Sequence, residues 1–410
     1  MILADDLTGA ADCAIAFARR GMPASVTWAT SPPDDPVLAL DANSRGLQPG
    51  AAAARHCALL QAHHGEGVAL FKKIDSTLRG QPAAELAATV RDLRRRGRGA
   101  LAIVAPAFPA AGRTTEAGCI WVGGQPLEHT PLWVRDHSYA SADLVAVLGQ
   151  AGLGVRLARL DAVRAGLTAL QGMVRDAAAA GVDALVCDAV TDADLSAVAD
   201  ATLPLAAHLF WTGSGGLAHA LAACIGAPAH PAETVDIVGG ILFVVGSVAE
   251  ASRAASALLA ADGAILVERV EPAVLQQGPG GAAWQDAAQR ITQALGGGID
   301  VLVEITSSPA ADLRHGAVLA RQLAALLRPA APGMGALFAT GGETALALLD
   351  ALGVASIRMI DEIEPGVPFG ITRGALTIPV VTKAGAFGNP GTLTRCLSHL
   401  RRLQRPEVLS

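Results

Sequence analysis

Short apolar runs alternate along this chain with longer Ala-rich segments, and that alternation predicts strands buried between helices. The first run, Ile2-Leu3-Ala4, stops at two adjacent carboxylates. Further strands are predicted in the first half at residues 25–28, 37–40, 68–71 and 101–105, with helices near 51–61 and 83–95. The Gly123-Gly124 pair inside the apolar stretch 118–127 predicts a β-hairpin that extends the sheet edge. Apolar periodicity fades over 227–235, which holds Pro228 and Pro231, and a new strand begins just after Gly239-Gly240. The chain is divided there into domains of residues 1–228 and 236–410. In the second domain strands are predicted at 241–245, 264–267, 301–304, 337–339, 357–360 and 376–381. The Gly-rich pieces 277–281 and 296–298 read as surface turns around a helix at 284–295. The fold class that follows is α/β: two α/β domains with mostly parallel sheets and an active site in the cleft between them.

Composition narrows the function classes. At 410 residues the chain exceeds what one hydrophobic core usually serves, in agreement with two domains. Apolar residues make up 51% but aromatics only 3%, a balance that suits small side chains packed closely between helices and sheets. No run approaches the roughly 20 apolar residues of a membrane span. Asp5 and Asp6 also break the basic-then-apolar layout of a secretion signal, so a cytoplasmic location is expected. The six cysteines show no C-x-x-C spacing, which points to reduced structural thiols rather than zinc or disulfides. A net charge of −6 gives no electrostatic footprint for nucleic acid.

Candidate chemistry gathers where strands end. Asp5 and Asp6 sit between the first strand and a small-residue helix start, the edge where open α/β sheets bind ligands. A carboxylate pair there accepts a proton from a substrate hydroxyl or holds a cation, and equally serves as a helix N-cap with an acidic first turn. The loop Lys72-Lys73-Ile74-Asp75-Ser76-Thr77-Leu78-Arg79-Gly80 places three cations around one carboxylate, which suits an anionic substrate. Arg45, in Asp41-Ala42-Asn43-Ser44-Arg45, stands at the same edge as a fork for a substrate carboxylate. In the second domain, Gly341-Gly342-Glu343-Thr344 lies between a strand and a helix, where paired glycines allow phosphate to approach backbone N–H groups. It is not a Walker A loop, since no Gly-Lys-Ser/Thr follows. Gly246-Ser247, Pro365-Gly366-Val367-Pro368 and the loop from Lys383 through Gly385 and Gly388 to Asn389 complete a set of strand-end loops.

Six stretches resemble, in order, the motifs of the four-carbon acid sugar kinase family. They are Ala4-Asp5-Asp6-Leu7-Thr8-Gly9-Ala10, the Lys72-to-Gly80 loop, Ala107-Phe108-Pro109 with Gly112-Arg113-Thr114, Gly213-Ser214-Gly215-Gly216-Leu217, the Gly341-to-Thr344 turn and the Lys383-to-Gly388 loop. The resemblance spans nearly the whole chain. It implies an ATP-dependent kinase that phosphorylates the terminal hydroxyl of a tetronate, with the acid sugar in the first domain and the nucleotide in the second. D-threonate or D-erythronate is the expected substrate. The alternatives are a 3-oxo-tetronate 4-kinase, a catalytically silent sugar-acid and nucleotide-binding protein of the same fold, or another nucleotide-dependent enzyme, against which the lack of G-x-G-x-x-G speaks.

On this reading Asp6 or Asp5 takes the substrate hydroxyl, with Asp75 as the rival base. Arg45, Lys73, Ser76, Thr77 and Arg79 hold the acid sugar, while Ser247, Gly341, Gly342, Glu343, Thr344, Gly385 and Gly388 hold ATP. Mg²⁺ is expected on the triphosphate, since no all-protein carboxylate cage is visible. Closure about 227–235 would join the two ligands. The expected partners are small molecules, with no nucleic acid and no membrane, and a homodimer stays open as the assembly. Val248 to Arg253 depart from the family pattern, and Ala384 and Ala386 replace Ser and Asn there, so contacts from that last loop are expected from its backbone.

Overall fold

The computed structural model describes residues 1–136, 139–225, 237–246, 250–261, 263–306, 316–385 and 387–403. The chain forms two compact units, Met1–Ala24 with Asp35–Ala229, and Ser25–Asp34 with His230–Ser410.

The first unit is built on a parallel sheet. Strand β1 (Ile2–Ala4) is followed by β2 (Ala24–Thr27), β3 (Val37–Asp41), β4 (Phe71–Lys73) and β5 (Leu101–Ala105). After β6 (Arg113–Glu116), β7 (Cys119–Val122) and β8 (Gln125–Pro126) come β9 (Val155–Ala158), β10 (Ala184–Cys187) and β11 (Leu209–Gly213). The parallel order is β3-β1-β4-β11-β5-β10-β9. Strands such as β5 are buried along their whole length, which is why they read as unbroken apolar runs. Leu3, Leu40, Leu60, Leu86, Val104 and Phe210 belong to one core cluster of this unit. Proline at the first turn starts the helices Pro49–His63 and Pro82–Arg95, where the missing N–H costs no helical bond.

The second unit contains β12 (Gly240–Val245), β13 (Leu266–Val270), β14 (Val301–Ile305), β15 (Met334–Thr340), β16 (Val354–Glu364), β17 (Val367–Gly374) and β18 (Pro379–Lys383). Strands β13-β14-β12-β15-β18 are parallel, and β17 and β16 continue the sheet antiparallel. Phe243 stacks on Phe338 at a centroid distance of 5.3 Å in its core.

Several elements differ from the sequence reading. Residues Ser25, Val26 and Thr27 of β2 pair antiparallel with β16, so this strand belongs to the second unit rather than the first. The chain thus enters the second unit after Ala24, returns after Asp34 and crosses again at 229–230. The expected linker at 227–235, outside the described residues, is one of three crossings. Strand β4 starts at Phe71 instead of 68, because Lys72 and Lys73 are held inside the sheet by charged partners while Val68 is 40% exposed. The Gly123-Gly124 turn does form a hairpin, but with β6 it makes a separate three-stranded sheet instead of extending the parallel one. Strand β17 was not anticipated: the Pro365-to-Pro368 stretch is the turn of its hairpin with β16.

Candidate active site

Strand register sets the first cluster. Ala4 pairs with Asp41 across β1 and β3, and β4 runs parallel on the other side of β1, so three strand ends come together. The amides of Ser44 and Arg45 both donate to the Asp5 carbonyl, at 3.0 and 3.2 Å, which draws the β3 loop over the Asp pair. Arg45 Nε and Nη2 reach Asp5 at 2.7 and 3.1 Å, and its Nη1 and Nη2 reach Asp6 at 2.7 and 2.9 Å. The expected fork for a substrate carboxylate is therefore engaged by the protein's own carboxylates.

Asp6 takes the N-cap role read from the sequence. As N-cap of the helix Leu7–Ala18 it accepts from the Gly9 amide at 3.0 Å and from Thr8 Oγ1 at 2.7 Å, while facing Arg45. Burial alone would raise its pKa, but Arg45 and Lys73 outweigh that and hold it below the ordinary carboxylate range. A Cβ on Gly9 would lie 2.6 Å from Asp6 Oδ1 and 2.8 Å from Lys73 Nζ, so a side chain there would push the two charged ends from their places.

The β4 loop adds the rest. Asp75 accepts from the Thr77 amide at 2.9 Å, from Thr77 Oγ1 at 2.5 Å and from Arg79 Nη2 at 2.7 Å, and lies 3.5 Å from Arg45 Nη2. Burial opposes its ionisation, yet Arg79 and Arg45 hold its pKa well below the usual range. For Lys73 burial works downward, and Asp5, with Cys13, Asp6 and Asp75, raises its pKa. Ser76 and Thr77 are buried in the same turn. Lys72 is not part of this cluster; its ammonium is turned to Glu85 at 2.7 Å.

Two residues near this cluster had been given no role. Arg113 is buried where the Phe108 and Arg113 backbones pair, in the fields of Asp75 and Asp12; burial lowers its pKa. Its signal was the Gly112-Arg113-Thr114 motif, whose Gly112 adopts φ 67°. Asp41 is buried at the end of β3, accepting from the Asn43 amide at 2.6 Å. Burial, reinforced by Asp6 and Asp5, pushes its pKa up to about 8.

The second unit brings its own loops together. Gly341, N-cap of the helix Gly342–Ala351, has φ 94° and donates to the Lys383 carbonyl at 3.0 Å. Positive φ thus falls on Gly341, and Gly342 opens the helix whose first N–H groups have no intrahelical acceptor. Gly246, after β12, lies directly against the Thr344 side chain, and Glu343 is exposed beside it. Lys383 is buried and donates to Ser252 Oγ at 3.2 Å and to the carbonyls of Ala384 and Phe387 at 3.1 and 2.8 Å. Ser252 Oγ donates to the Gly385 carbonyl at 3.0 Å, an organising role not read from the departing 248–253 stretch. Burial pushes Lys383 down to about 8. The Phe387 ring lies against Gly366, which brings the β16–β17 turn to this loop, and Gly388 packs on Thr392. Ser247 and Ala386 lie outside the described residues.

Two family models match most of the chain. Residues 1–221 fit the model of a sugar-binding N-terminal domain, and residues 242–393 that of a nucleotide-binding C-terminal domain. A D-threonate kinase of Cupriavidus necator is 44% identical, over 100% of this chain and 99% of that protein. A D-threonate kinase of Bordetella bronchiseptica is 36% identical, over 98% and 97% of the two chains. Among solved structures, a Salmonella typhimurium protein described as a putative tRNA synthase superposes with a TM-score of 0.79 over 97% of this chain and 98% of its own. At 20% identity it speaks to the fold alone.

Proposed function

We propose that this chain, which belongs to the four-carbon acid sugar kinase family and is a sugar-acid kinase using ATP, phosphorylates the 4-hydroxyl of D-threonate. The observation that carries the site assignment is the strand-end cluster in which Arg45 binds both Asp5 and Asp6 beside Lys73, Asp75 and Arg79. The choice of D-threonate is supported by the full-length likeness to the C. necator and B. bronchiseptica proteins of that name.

Phosphoryl transfer asks the protein mainly to position the hydroxyl and to balance charge. Asp6 is 13% exposed against 3% for Asp5 and 9% for Asp75, so it is the carboxylate a substrate hydroxyl reaches. It orients the 4-hydroxyl and takes its proton as the bond to phosphorus forms. Its pKa, lowered by Arg45 and Lys73 against the effect of burial, keeps it ionised and makes this transfer late. Arg79 gives Nη2 to Asp75 and is 25% exposed, which leaves it turned to take the sugar carboxylate. Lys73, Ser76 and Thr77 close the pocket around the inner hydroxyls.

In the second unit the residues fit a nucleotide's phosphates. Gly341 at positive φ lets the start of the helix Gly342–Ala351 present N–H groups to an anion. Lys383 and Ser252 bind carbonyls of residues 384, 385 and 387, and the Phe387 amide donates to the Ala384 carbonyl at 3.1 Å, a loop shape in which the N–H groups of Gly385 and Gly388 would face phosphate. Thr344 and Glu343 complete this set, and Ser247, which lies outside the described residues, is assigned to it from its place in the sequence alone. Mg²⁺ bound to the triphosphate would neutralise charge on the phosphate oxygens.

The test is ATP consumption with D-threonate, D-erythronate and 3-oxo-tetronate, with the product's phosphorus coupling read at each carbon. Fastest turnover of D-threonate to its 4-phosphate is expected. Preference for either other acid, or a phosphate on another oxygen, would overturn the proposal.

A further inference from the structure

We propose that Ser44 and Glu85 are positioning residues of this kinase: the Glu85 carboxylate joins the loop carrying Arg45 to the strand carrying Lys73, and so sets both cations against Asp5 and Asp6. The inference rests on the assignment of those residues to the acid-sugar site.

The device is a buried chain of hydrogen bonds behind the cluster. Ser44 comes from the loop after β3, and His56, Lys72 and Glu85 from three different elements; each is at most 1% exposed. Lys72 Nζ donates to Glu85 Oε2 at 2.7 Å and to the Lys73 carbonyl at 3.1 Å. Ser44 Oγ donates to Glu85 Oε1 at 2.7 Å. His56 Nε2 lies 2.9 Å from Ser44 Oγ and 3.3 Å from Glu85 Oε1. His56 Nδ1 is buried without a hydrogen-bond partner among the described residues, which leaves the proton on Nε2, pointing at Ser44. Burial, with Lys72 beside it, lowers the His56 pKa and keeps the ring neutral. Burial alone would raise the Glu85 pKa, but the Lys72 ammonium beside it outweighs that and holds the carboxyl below its ordinary range. Every hydrogen in the chain therefore has one direction, ending on a carboxylate that accepts from both sides.

Each tethered residue immediately precedes a site cation. Successive residues of a strand point to opposite faces, so while Lys72 is bound to Glu85, Lys73 is turned toward Gly9 and Asp6. Ser44 holds the other end, and the next residue is Arg45. An apolar pair would stabilise the fold as well as a buried ion pair does. What the ion pair and hydroxyl add is direction, fixing the spacing of two loops that share one carboxylate.

Ser44→Ala removes the tether while leaving the Lys72–Glu85 pair in place. With D-threonate and saturating Mg-ATP its kcat is expected to fall about ten- to hundredfold, the scale of a catalytic group displaced from a distance. The KM for ATP and the unfolding midpoint stay near those of the parent. Arg45→Ala, measured alongside, tests the assignment beneath the inference. Parent-like kinetics in Ser44→Ala beside an impaired Arg45→Ala would overturn the positioning role alone. A Ser44→Ala loss matched by a raised KM for ATP and a fallen midpoint would reduce it to a folding defect and overturn it too. Unchanged acid-sugar kinetics in Arg45→Ala would instead remove the site on which the inference stands.

Discussion

Arg45 and Asp5 are joined three ways: two guanidinium nitrogens meet the carboxylate at 2.7 and 3.1 Å, and the Arg45 amide donates to the Asp5 carbonyl at 3.2 Å. Because the same guanidinium also spans Asp6, one cation fixes two adjacent carboxylates that would otherwise repel. Arg45→Lys retains the charge but has no planar fork to serve both. It is expected to lower the unfolding midpoint and to cut turnover by at least tenfold, the direction set by leaving a buried carboxylate without its bidentate partner. Thermal unfolding and steady-state kinetics check both, and a lysine variant matching the parent in each would contradict the account.

Asp41 gives the molecule a pH dependence with a definite sign. Its folded pKa, pushed up to about 8 by burial with Asp6 and Asp5 adding to it, stands above the value of 3.8 for a free side chain. The folded state therefore holds a proton that the unfolded chain has released, so this group's contribution is full below about pH 4 and is lost as pH rises towards 8. Asp41→Asn keeps an acceptor for the Asn43 amide and removes the titration. Denaturant unfolding at about pH 5 and about pH 8 should show a smaller loss of stability in the variant than in the parent. Equal losses would contradict the assignment.

Nucleotide binding should depend on the backbone at Gly341. Any L residue is strained at φ 94°, and a branched one would also crowd the start of the helix Gly342–Ala351. Gly341→Val is expected to weaken ATP binding by at least tenfold and leave D-threonate binding by the first unit near normal, as read by calorimetry on the full chain. The full chain matters, because β2 pairs with β16, and a fragment beginning at 236 would leave that edge open. Normal ATP affinity in Gly341→Val would contradict this site.

Much of this arrangement was legible in the sequence where burial is uniform. Residues 101–105 and 241–245 read directly as strands because both faces of each are covered, so their apolar runs are unbroken. The β4 boundary was displaced because Lys72 and Lys73 count as polar until Glu85 and the Asp pair are seen opposite them. The membership of β2 had no local signal, since the carbonyl that Thr27 Oγ1 meets belongs to Ala355, 328 residues away. Strand ends likewise placed Asp5, Asp6, Arg45 and Asp75 at one edge, yet spacing along the chain carries no distance between loops. That Arg45 binds the Asp pair, and that Ser252 and Lys383 share the carbonyls of one loop, became visible only in three dimensions.

The most direct test of the central claim compares Asp6→Asn, Asp5→Asn and Asp75→Asn in D-threonate turnover, with Mg-ATP affinity and unfolding measured on the same samples. Asp6→Asn is expected to lose kcat by roughly a hundredfold or more, the scale of a general base, while folding and Mg-ATP affinity stay at the parent's level. Near-parent turnover in Asp6→Asn, with the loss falling on Asp75→Asn instead, would contradict the assignment of Asp6 to the substrate hydroxyl.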